Sequence, residues 1–369
     1  MIGYRVNNRV FYNPYLARYE QYKTGNSLHF HCYDIEYSKL DWSREPEQTL
    51  EQLMDSHVHY LRNKYERLIF MWSGGTDSHT MWNVFKRNNI HIDEIIVKHS
   101  QVVEYIQYSS QYADWIIKNH YDPTTKITLW EEYDLSFRGI VVNNEDWVLQ
   151  DKGDLFKFGQ SAISNATIDH CEKNHNGHNW GLVVGADKPR IDYINGHWYA
   201  GQVDTDLLQF MGHNRVECFF LDPIINLKQS HLAKNCMKIM RTAGDISNPA
   251  LSPAGPGELT YWAWTKNVGR HDELIRGASY SQKKFNHLAK QATIDITVDP
   301  AEFDPKFGEE VLIAKLKSQD STALNYIRGF YNLCSDQKFM DFMNKKHLKG
   351  KNQILNLVPL WSKKYYLGE

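Results

Sequence analysis

The chain has 369 residues, of which 42% are hydrophobic and 23% charged, and its formal net charge is −2. This composition is typical of a globular protein with a sizeable core, and the charge balance gives no support to a protein that coats a polyanion. No run of about 18 apolar residues occurs and no secretory signal is visible, so the sequence predicts neither a membrane span nor export.

Cysteine and histidine usage argues against a disulfide framework and against a structural metal site. The five cysteines are scattered and odd in number, and no Cys-x-x-Cys pair occurs. A reducing cytoplasm is the expected location. The sequence holds 17 histidines, but no His-Glu-x-x-His motif. We interpret its histidine pairs as solvated loop residues and not as metal ligands: His29/His31, His57/His59 and His175/His178.

The N-terminal part of the chain predicts a strand and then a helix. Residues 27–33 alternate between apolar and polar side chains, as a half-buried strand does. Residues 46–66 follow a proline and carry apolar residues at helical spacing, so a helix is expected there.

A βαβ unit follows. Residues 67–72 form an almost continuous apolar run, which is typical of a parallel strand buried on both faces. The run leads through the sequence Ser-Gly-Gly-Thr-Asp-Ser at 73–78 into a helical pattern up to Phe85. Residues 94–99 then predict a second buried strand. Handedness rules for such a unit imply that the two strands are parallel.

The alternation of helices and strands continues to about residue 222, and the pattern becomes mainly helical afterwards. We therefore expect an α+β extension at 1–45, an α/β domain at 46–222 and a mainly helical region at 223–369. The further elements predicted are helices at 101–119 and 160–173, strands at 126–130 and 180–184, a hairpin within 191–220 around Asn195-Gly196, and helices at 227–242, 259–292 and within 308–348.

The segment 73–78 has the chemistry of a phosphate cradle. A buried strand delivers it to a helix N-terminus, where backbone N–H groups lack intrahelical partners and the helix dipole favours an anion. Two glycines let the backbone approach the phosphate closely. The hydroxyls of Ser73, Thr76 and Ser78 add donors, and Asp77 beside a phosphate predicts a bound Mg²⁺ between the two. The alternative is a structural turn in which Asp77 or a serine caps the helix.

This strand, loop and helix resemble the PP-loop ATP pyrophosphatases, the superfamily of asparagine synthetase, GMP synthetase, argininosuccinate synthetase, NAD synthetase and the tRNA-modifying adenylating enzymes. The segment is neither a Walker A loop nor a dinucleotide fingerprint. The resemblance is specific over residues 67–100, and strand order extends it to about 192. It implies a parallel sheet of the adenine nucleotide alpha-hydrolase (HUP) type with ATP at the carboxyl edge of the strands.

In this superfamily the loop grips the pyrophosphate of ATP, and a carbonyl or carboxylate oxygen is adenylated before a nucleophile displaces the AMP. The resemblance gives Ser73, Gly74, Gly75 and Ser78 the pyrophosphate-binding role and places Asp77 near Mg²⁺ and phosphate. It also places the adenosine at the end of the next strand, near His99.

A second candidate segment follows the strand at 180–184. It contains Gly185, Asp187, Lys188 and Arg190, and its two cations suit the charge that develops on phosphate as pyrophosphate leaves. We take Asp77, Lys188 and Arg190 as candidate catalytic residues. A surface turn with an Asp187–Arg190 ion pair is an equally weighted alternative.

The sequence leaves the acceptor and the nucleophile open. The chain lacks the N-terminal cysteine of glutaminases, the cysteine pair of thiolating tRNA enzymes and the catalytic cysteine motif of sulfonucleotide reductases. We therefore expect amide or C–N bond formation on a small-molecule or nucleic-acid-derived substrate. The alternatives are a sulfonucleotide-reductase-like oxidoreductase and a non-catalytic nucleotide-binding module. The basic and aromatic residues of 345–366 predict a weak nucleic-acid contact, or else a solvated helix end.

Overall fold

The computed structural model describes nine segments of the chain: residues 2–12, 14–72, 76–99, 114–131, 167–185, 189–204, 212–242, 337–347 and 360–369. Eleven strands and six helices are named within these segments. In chain order they are β1 (Ile2–Val6), β2 (Arg9–Phe11), α1 (Pro14–Thr24), β3 (Leu28–Cys32), α2 (Asp34–Tyr37), α3 (Leu50–Lys64), β4 (Arg67–Trp72), α4 (Thr76–Arg87), β5 (Glu94–His99), β6 (Lys126–Glu131), β7 (Trp180–Val184), β8 (Arg190–Ile194), β9 (His197–Gly201), β10 (Val216–Cys218), α5 (Pro223–Thr242), α6 (Gln337–Lys346) and β11 (Tyr365–Gly368). Residues 114–119 and 167–174 are also helical.

A five-stranded parallel sheet forms the centre of the protein, in the order β10-β7-β4-β5-β6. The chain runs outward from β4 through β5 to β6, and then returns to place β7 on the other side of β4. This is the strand order of doubly wound folds, and it puts a topological switch point between β4 and β7. The predicted α/β class and parallel sheet are confirmed.

The four strands predicted for this sheet are present as expected, and three of them have the predicted bounds. The fifth strand, β10, was not predicted, because three residues are too short to show a pattern. It pairs with β7 through Glu217 and Val183. The hairpin is also confirmed: its two turn residues, Asn195 and Gly196, have φ values of 50° and 89°, as a type I′ turn requires.

Side chains of β4 that point alternately to the two faces of the sheet show how both faces are buried. Phe70 and Trp72 point into a core shared with α3, α4 and Trp115. Ile69 points to the opposite face and belongs to a second core, which contains Tyr4 of β1. The antiparallel sheet β2-β1-β3 and the helical segment 167–174 contribute to this second core. Because both faces are covered, the strand reads as a continuous apolar run.

A third sheet, β11-β9-β8, brings the end of the chain back to the α/β part. Tyr365 lies in a core with Trp42, and the two rings stack with centroids 4.6 Å apart. Of the two alternatives for 345–366, the solvated helix end is wrong for Tyr365 and Tyr366, because they belong to a strand paired with β9. The nucleic-acid contact stays a prediction. The apolar positions Tyr365 and Leu367 alternate with exposed Tyr366, which is the pattern of a half-buried strand.

Helix α3 begins four residues later than predicted because a capping box fixes its start. Thr49 Oγ1 accepts a hydrogen bond of 3.2 Å from the backbone N–H of Gln52, whose Oε1 accepts one of 2.9 Å from the N–H of Thr49. The two backbone N–H groups, which would otherwise lack hydrogen-bond partners at the helix start, are thereby satisfied. On this helix His57 is buried 3.3 Å from Asp222, so the interpretation of His57 as a solvated loop residue is wrong.

The described part of the C-terminal region is short. Helix α5 matches the helix predicted at 227–242 but begins earlier, at Pro223, and α6 lies inside the pattern predicted for 308–348. The helix predicted at 259–292 lies outside the described residues, as does the helix predicted at 101–119 except for its last turns. None of the helices in the described segments combines the length and hydropathy needed to cross a bilayer.

One close contact predicts a large packing cost. A Cβ placed on Gly181 of β7 would lie 2.5 Å from the ring of Tyr65, which is buried and hydrogen-bonded to Glu217. We expect Gly181→Ala to destabilise the protein by about 1–3 kcal/mol, because the ring must move. Urea denaturation measures this, and Gly181→Ala combined with Tyr65→Leu should recover part of the loss. An unchanged midpoint for Gly181→Ala would contradict the prediction.

Candidate functional site

The candidate site lies at the carboxyl edge of the central sheet, where β4 and β7 end side by side. Strand β4 ends at Trp72 and helix α4 begins at Thr76. Strand β7, paired in parallel with β4, ends at Val184 and is followed by Gly185. This is the switch point of the strand order, which is the place where open α/β sheets bind their ligands.

The described ends of the two predicted segments are in contact. A Cβ placed on Gly185 would lie 3.1 Å from the Cβ of Asp77 and 3.2 Å from the Cε of Met81. The backbone after β7 therefore packs against the first turn of α4. A glycine at this position permits the close approach.

The structure places five of the nine candidate residues. Thr76, Asp77 and Ser78 form the first turn of α4, and Ser78 is buried. Arg190 is the first residue of β8 and is buried, and His99 is the last residue of β5, the strand next to β4. The structure brings Asp77 against the Gly185 segment. The other four candidates lie outside the described residues: Ser73, Gly74, Gly75 and Lys188.

Asp77 is a residue of the first helical turn and not an N-cap. Helix α4 begins at Thr76, so the helix already includes Asp77. A carboxylate in this turn interacts favourably with the positive end of the helix dipole. The same position keeps the charge beside the N–H groups that have no intrahelical partner. An oxyanion bound to those groups would therefore lie next to the Asp77 carboxylate.

A buried aromatic cluster supports the first turns of α4, and sequence reasoning missed it. The rings of Trp72 and Trp115 stack with centroids 5.7 Å apart and planes 8° apart. His79 lies beside them, 5.5 Å from Trp72 and 5.0 Å from Trp115. Burial lowers the pKa of His79 to about 3, with a smaller contribution from Lys86. A neutral imidazole thus packs the helix start onto the end of β4.

A second missed feature is an ion pair next to Arg190. Asp192 is completely buried on β8, and its Oδ2 lies 2.5 Å from the Nζ of Lys364, just before β11. Burial raises the pKa of the Asp192 carboxyl, and the Lys364 ammonium opposes that change. No local signal could have paired these residues, because they are far apart in the sequence.

The opposite edge of the sheet carries a cluster with a structural role. Glu94, at the start of β5, is buried and accepts hydrogen bonds of 2.9 Å from His170 and 2.7 Å from His175. Lys126 adds an ion pair at 3.0 Å. The interpretation of His175 as a solvated loop residue is therefore wrong. This cluster fastens the helical segment 167–174 to the sheet.

Comparison with known proteins gives no identification: no protein-family model matches the chain, and no curated protein matches it. Within the described segments, no three His, Cys, Asp or Glu side chains converge in a way that could hold a metal ion. A Mg²⁺ ion bound between protein and phosphate commonly needs only one or two carboxylates. Asp77 at the helix start therefore fits such an ion.

Proposed function

We propose that the chain is an ATP-dependent adenylating enzyme with an adenine nucleotide alpha-hydrolase-like fold, which converts ATP to AMP and pyrophosphate. The observation that carries the proposal is the contact of Asp77 with Gly185 at the switch point of the sheet. It places the first turn of α4, which ends the Ser-Gly-Gly-Thr-Asp-Ser sequence, beside Gly185, which begins the segment after β7. Each segment alone would suit an anion, and together they suit a triphosphate.

The proposed roles follow from the charges. Backbone N–H groups at the start of α4, with the hydroxyl of Ser78 and the glycines before it, hold the pyrophosphate part of ATP. Asp77 would hold Mg²⁺, which neutralises phosphate charge when bound. Lys188 and Arg190 take up the negative charge that develops as pyrophosphate leaves. The adenosine lies along the end of β5, near His99.

The reaction joins an acceptor to the nucleotide. A carbonyl or carboxylate oxygen of the acceptor attacks the α-phosphorus, and the bond to pyrophosphate breaks. A nucleophile then displaces AMP, which forms an amide or another C–N bond. The acceptor is a small molecule or derives from a nucleic acid.

Thiol chemistry has less support than adenylation. The side chains of three of the five cysteines are described, and Cys32, Cys171 and Cys218 are all buried free thiols. Burial raises the pKa of Cys171, which makes a poor nucleophile of it. Free thiols are also what a cytoplasmic protein contains. We therefore rank the sulfonucleotide-reductase-like alternative below adenylation.

We expect ATP with Mg²⁺ to raise the thermal midpoint of the protein, because a ligand that binds only the native state stabilises it. At a concentration a hundred times the dissociation constant, this stabilisation is about 2.7 kcal/mol. Gly74→Val, which fills the space meant for phosphate, should abolish the shift but leave a folded protein. A wild-type midpoint that ATP does not change would contradict the nucleotide assignment.

Product analysis tests the reaction itself. Incubation with ATP, Mg²⁺ and a panel of carboxylates and amines should give AMP and pyrophosphate. ADP as the product would contradict an adenylating mechanism. ATP binding without any turnover would instead favour the non-catalytic nucleotide-binding module.

A further inference from the structure

Helices α1 and α6 lie against each other through aromatic rings. The ring centroid of Phe339 on α6 lies 5.2 Å from that of Tyr19 and 5.6 Å from that of Tyr22, both on α1. The centroid of Phe342 lies 5.6 Å from that of Tyr22. Phe339 is buried, whereas the other three rings are half-buried and reach the surface. The outside of this helix pair therefore carries three partly exposed aromatic rings.

Exposed lysines flank these rings, one on α1 and three on α6: Lys23, Lys338, Lys345 and Lys346. The Nζ of Lys23 lies 4.4 Å from the ring centroid of Tyr19, and the Nζ of Lys346 lies 5.5 Å from that of Phe342. The other two lysines lie about one helical turn before and after Phe342, which puts them on the same side of α6. We call these four lysines and three rings the α1–α6 surface.

The charge of this surface is not neutralised from within the protein. In the described segments, none of its four lysines forms an ion pair with an acidic side chain. The nearby Glu20 is paired with Arg9 at 3.1 Å, and Asp341 on α6 accepts a hydrogen bond of 2.9 Å from Gln337. The α1–α6 surface is therefore positively charged, although the chain as a whole carries a net charge of −2. Such a local charge fits an anionic partner.

The combination of cations and rings fits one class of anion best, a single-stranded nucleic acid. Lysines neutralise its phosphates, and partly exposed aromatic rings are platforms on which unpaired bases stack. A duplex keeps its bases inside and offers the rings no partner. An anionic membrane takes up helices that present a free apolar face. Helix α6 has no such face to offer, because Phe339, Met340 and Met343 are buried.

We propose that the α1–α6 surface binds single-stranded nucleic acid, with its lysines at the phosphates and with Tyr19, Tyr22 and Phe342 against the bases. Lys345 and Lys346 belong to the segment for which the sequence predicts a nucleic-acid contact. The structure adds α1, which supplies two of the three rings. The proposal does not depend on the proposed adenylating function, because binding of a strand is measured without ATP.

The first experiment measures binding of the wild-type protein to a fluorescently labelled single strand of mixed sequence, as RNA and as DNA, by fluorescence anisotropy. We expect a dissociation constant of about 10⁻⁴–10⁻⁶ M near physiological salt, as for other sequence-independent contacts. Four lysines at phosphates should make the logarithm of the affinity fall with the logarithm of the salt concentration with a slope of about −3. No binding of either strand at low salt would overturn the proposal.

Lysine variants locate the contact. The triple variant of α6 with Lys338→Gln, Lys345→Gln and Lys346→Gln should reduce the magnitude of the salt slope by about 2, because three phosphate contacts are lost. The matched control makes the same change of net charge at exposed lysines elsewhere, and it should bind as the wild type does: Lys39→Gln, Lys118→Gln and Lys173→Gln. An equal loss in both triple variants would mean that net charge alone attracts the strand, and would overturn the proposal.

A ring variant tests stacking separately from charge. Phe342→Leu should weaken binding of the single strand about tenfold, and it should leave both the salt slope and the affinity for the matching duplex unchanged. Tyr60→Leu is the control, since Tyr60 is an exposed ring on α3. If Phe342→Leu does not fold, Tyr19→Leu makes the same test beside Lys23. A folded ring variant that binds the strand like the wild type would overturn the stacking role.

Two further comparisons exclude the remaining readings. Vesicles of phosphatidylcholine and phosphatidylserine test the membrane, and binding to them without binding to either strand would overturn the proposal. The ATP response of the wild type separates this proposal from the proposed function. A response to ATP without binding of a strand overturns the α1–α6 surface alone, whereas binding of a strand without a response to ATP overturns the adenylating function alone.

Discussion

Asp77→Asn is expected to lower the rate of pyrophosphate release by about a hundredfold at saturating ATP. Asp77 lies in the first turn of α4, against the backbone at Gly185. A bare carboxylate beside a phosphate is repulsive, and its position therefore makes sense with Mg²⁺ between the two. Asparagine keeps the shape and removes the charge that holds the metal. The measurement is pyrophosphate release across a Mg²⁺ titration, in which high Mg²⁺ should restore part of the rate.

The effect on folding should be small, and a second helix supplies the control. A carboxylate in the first turn of an exposed helix stabilises it through the dipole by about 0.3–1 kcal/mol. Glu51 occupies the corresponding first turn of α3, so Glu51→Gln removes a comparable helix-dipole interaction, together with a 3.5 Å ion pair to Arg87 at the other end of α4. We expect this variant to keep its activity. Full activity of Asp77→Asn at low Mg²⁺ would show that the carboxylate serves the helix only.

The central sheet was largely predictable, because its strands are buried on both faces. The bounds of β4, β5 and β7 follow from apolar runs that end at polar or glycine-containing turns. Strand β10 and the capped start of α3 were not predicted. The first is too short for a pattern, and the second required Thr49 and Gln52 to be recognised as a capping box.

The candidate site was predictable in its parts but not in its assembly. Strand order alone implied that the segments after β4 and β7 share one edge, and the structure adds that Gly185 packs closely against Asp77. The pairing of Asp192 with Lys364 depends on β11 returning to β9, which no local pattern indicates. The buried role of His79 had a usable signal, since it lies one helical turn before Trp82 on the apolar side of α4.

His79 should make the stability of the protein fall steeply in acid. Its folded-state pKa of about 3 lies below the ordinary histidine value of 6.5 because burial disfavours the charged imidazole. The unfolded chain therefore binds a proton first as the pH falls. Above pH 6.5 the ring is neutral in both states, and the free energy of unfolding is at its full value. It falls progressively as the pH drops from 6.5 towards 3. At about 1.4 kcal/mol per pKa unit, the full loss is on the order of 5 kcal/mol, of which about 4 kcal/mol is lost by pH 3.

His79→Phe isolates this contribution, because phenylalanine keeps an aromatic ring beside Trp72 and Trp115 but cannot be protonated. Between pH 7 and pH 3, we expect the free energy of unfolding of the variant to fall by about 4 kcal/mol less than that of the wild type. Urea denaturation at a series of pH values measures this difference. His59→Phe is the matched control, since His59 is exposed on α3. Equal acid sensitivity of the wild type and His79→Phe would mean that the imidazole is hydrated or paired when charged. The ring would then not be sealed in the aromatic cluster, and the first turns of α4 would be held to β4 less firmly than the stacking of Trp72 on Trp115 indicates.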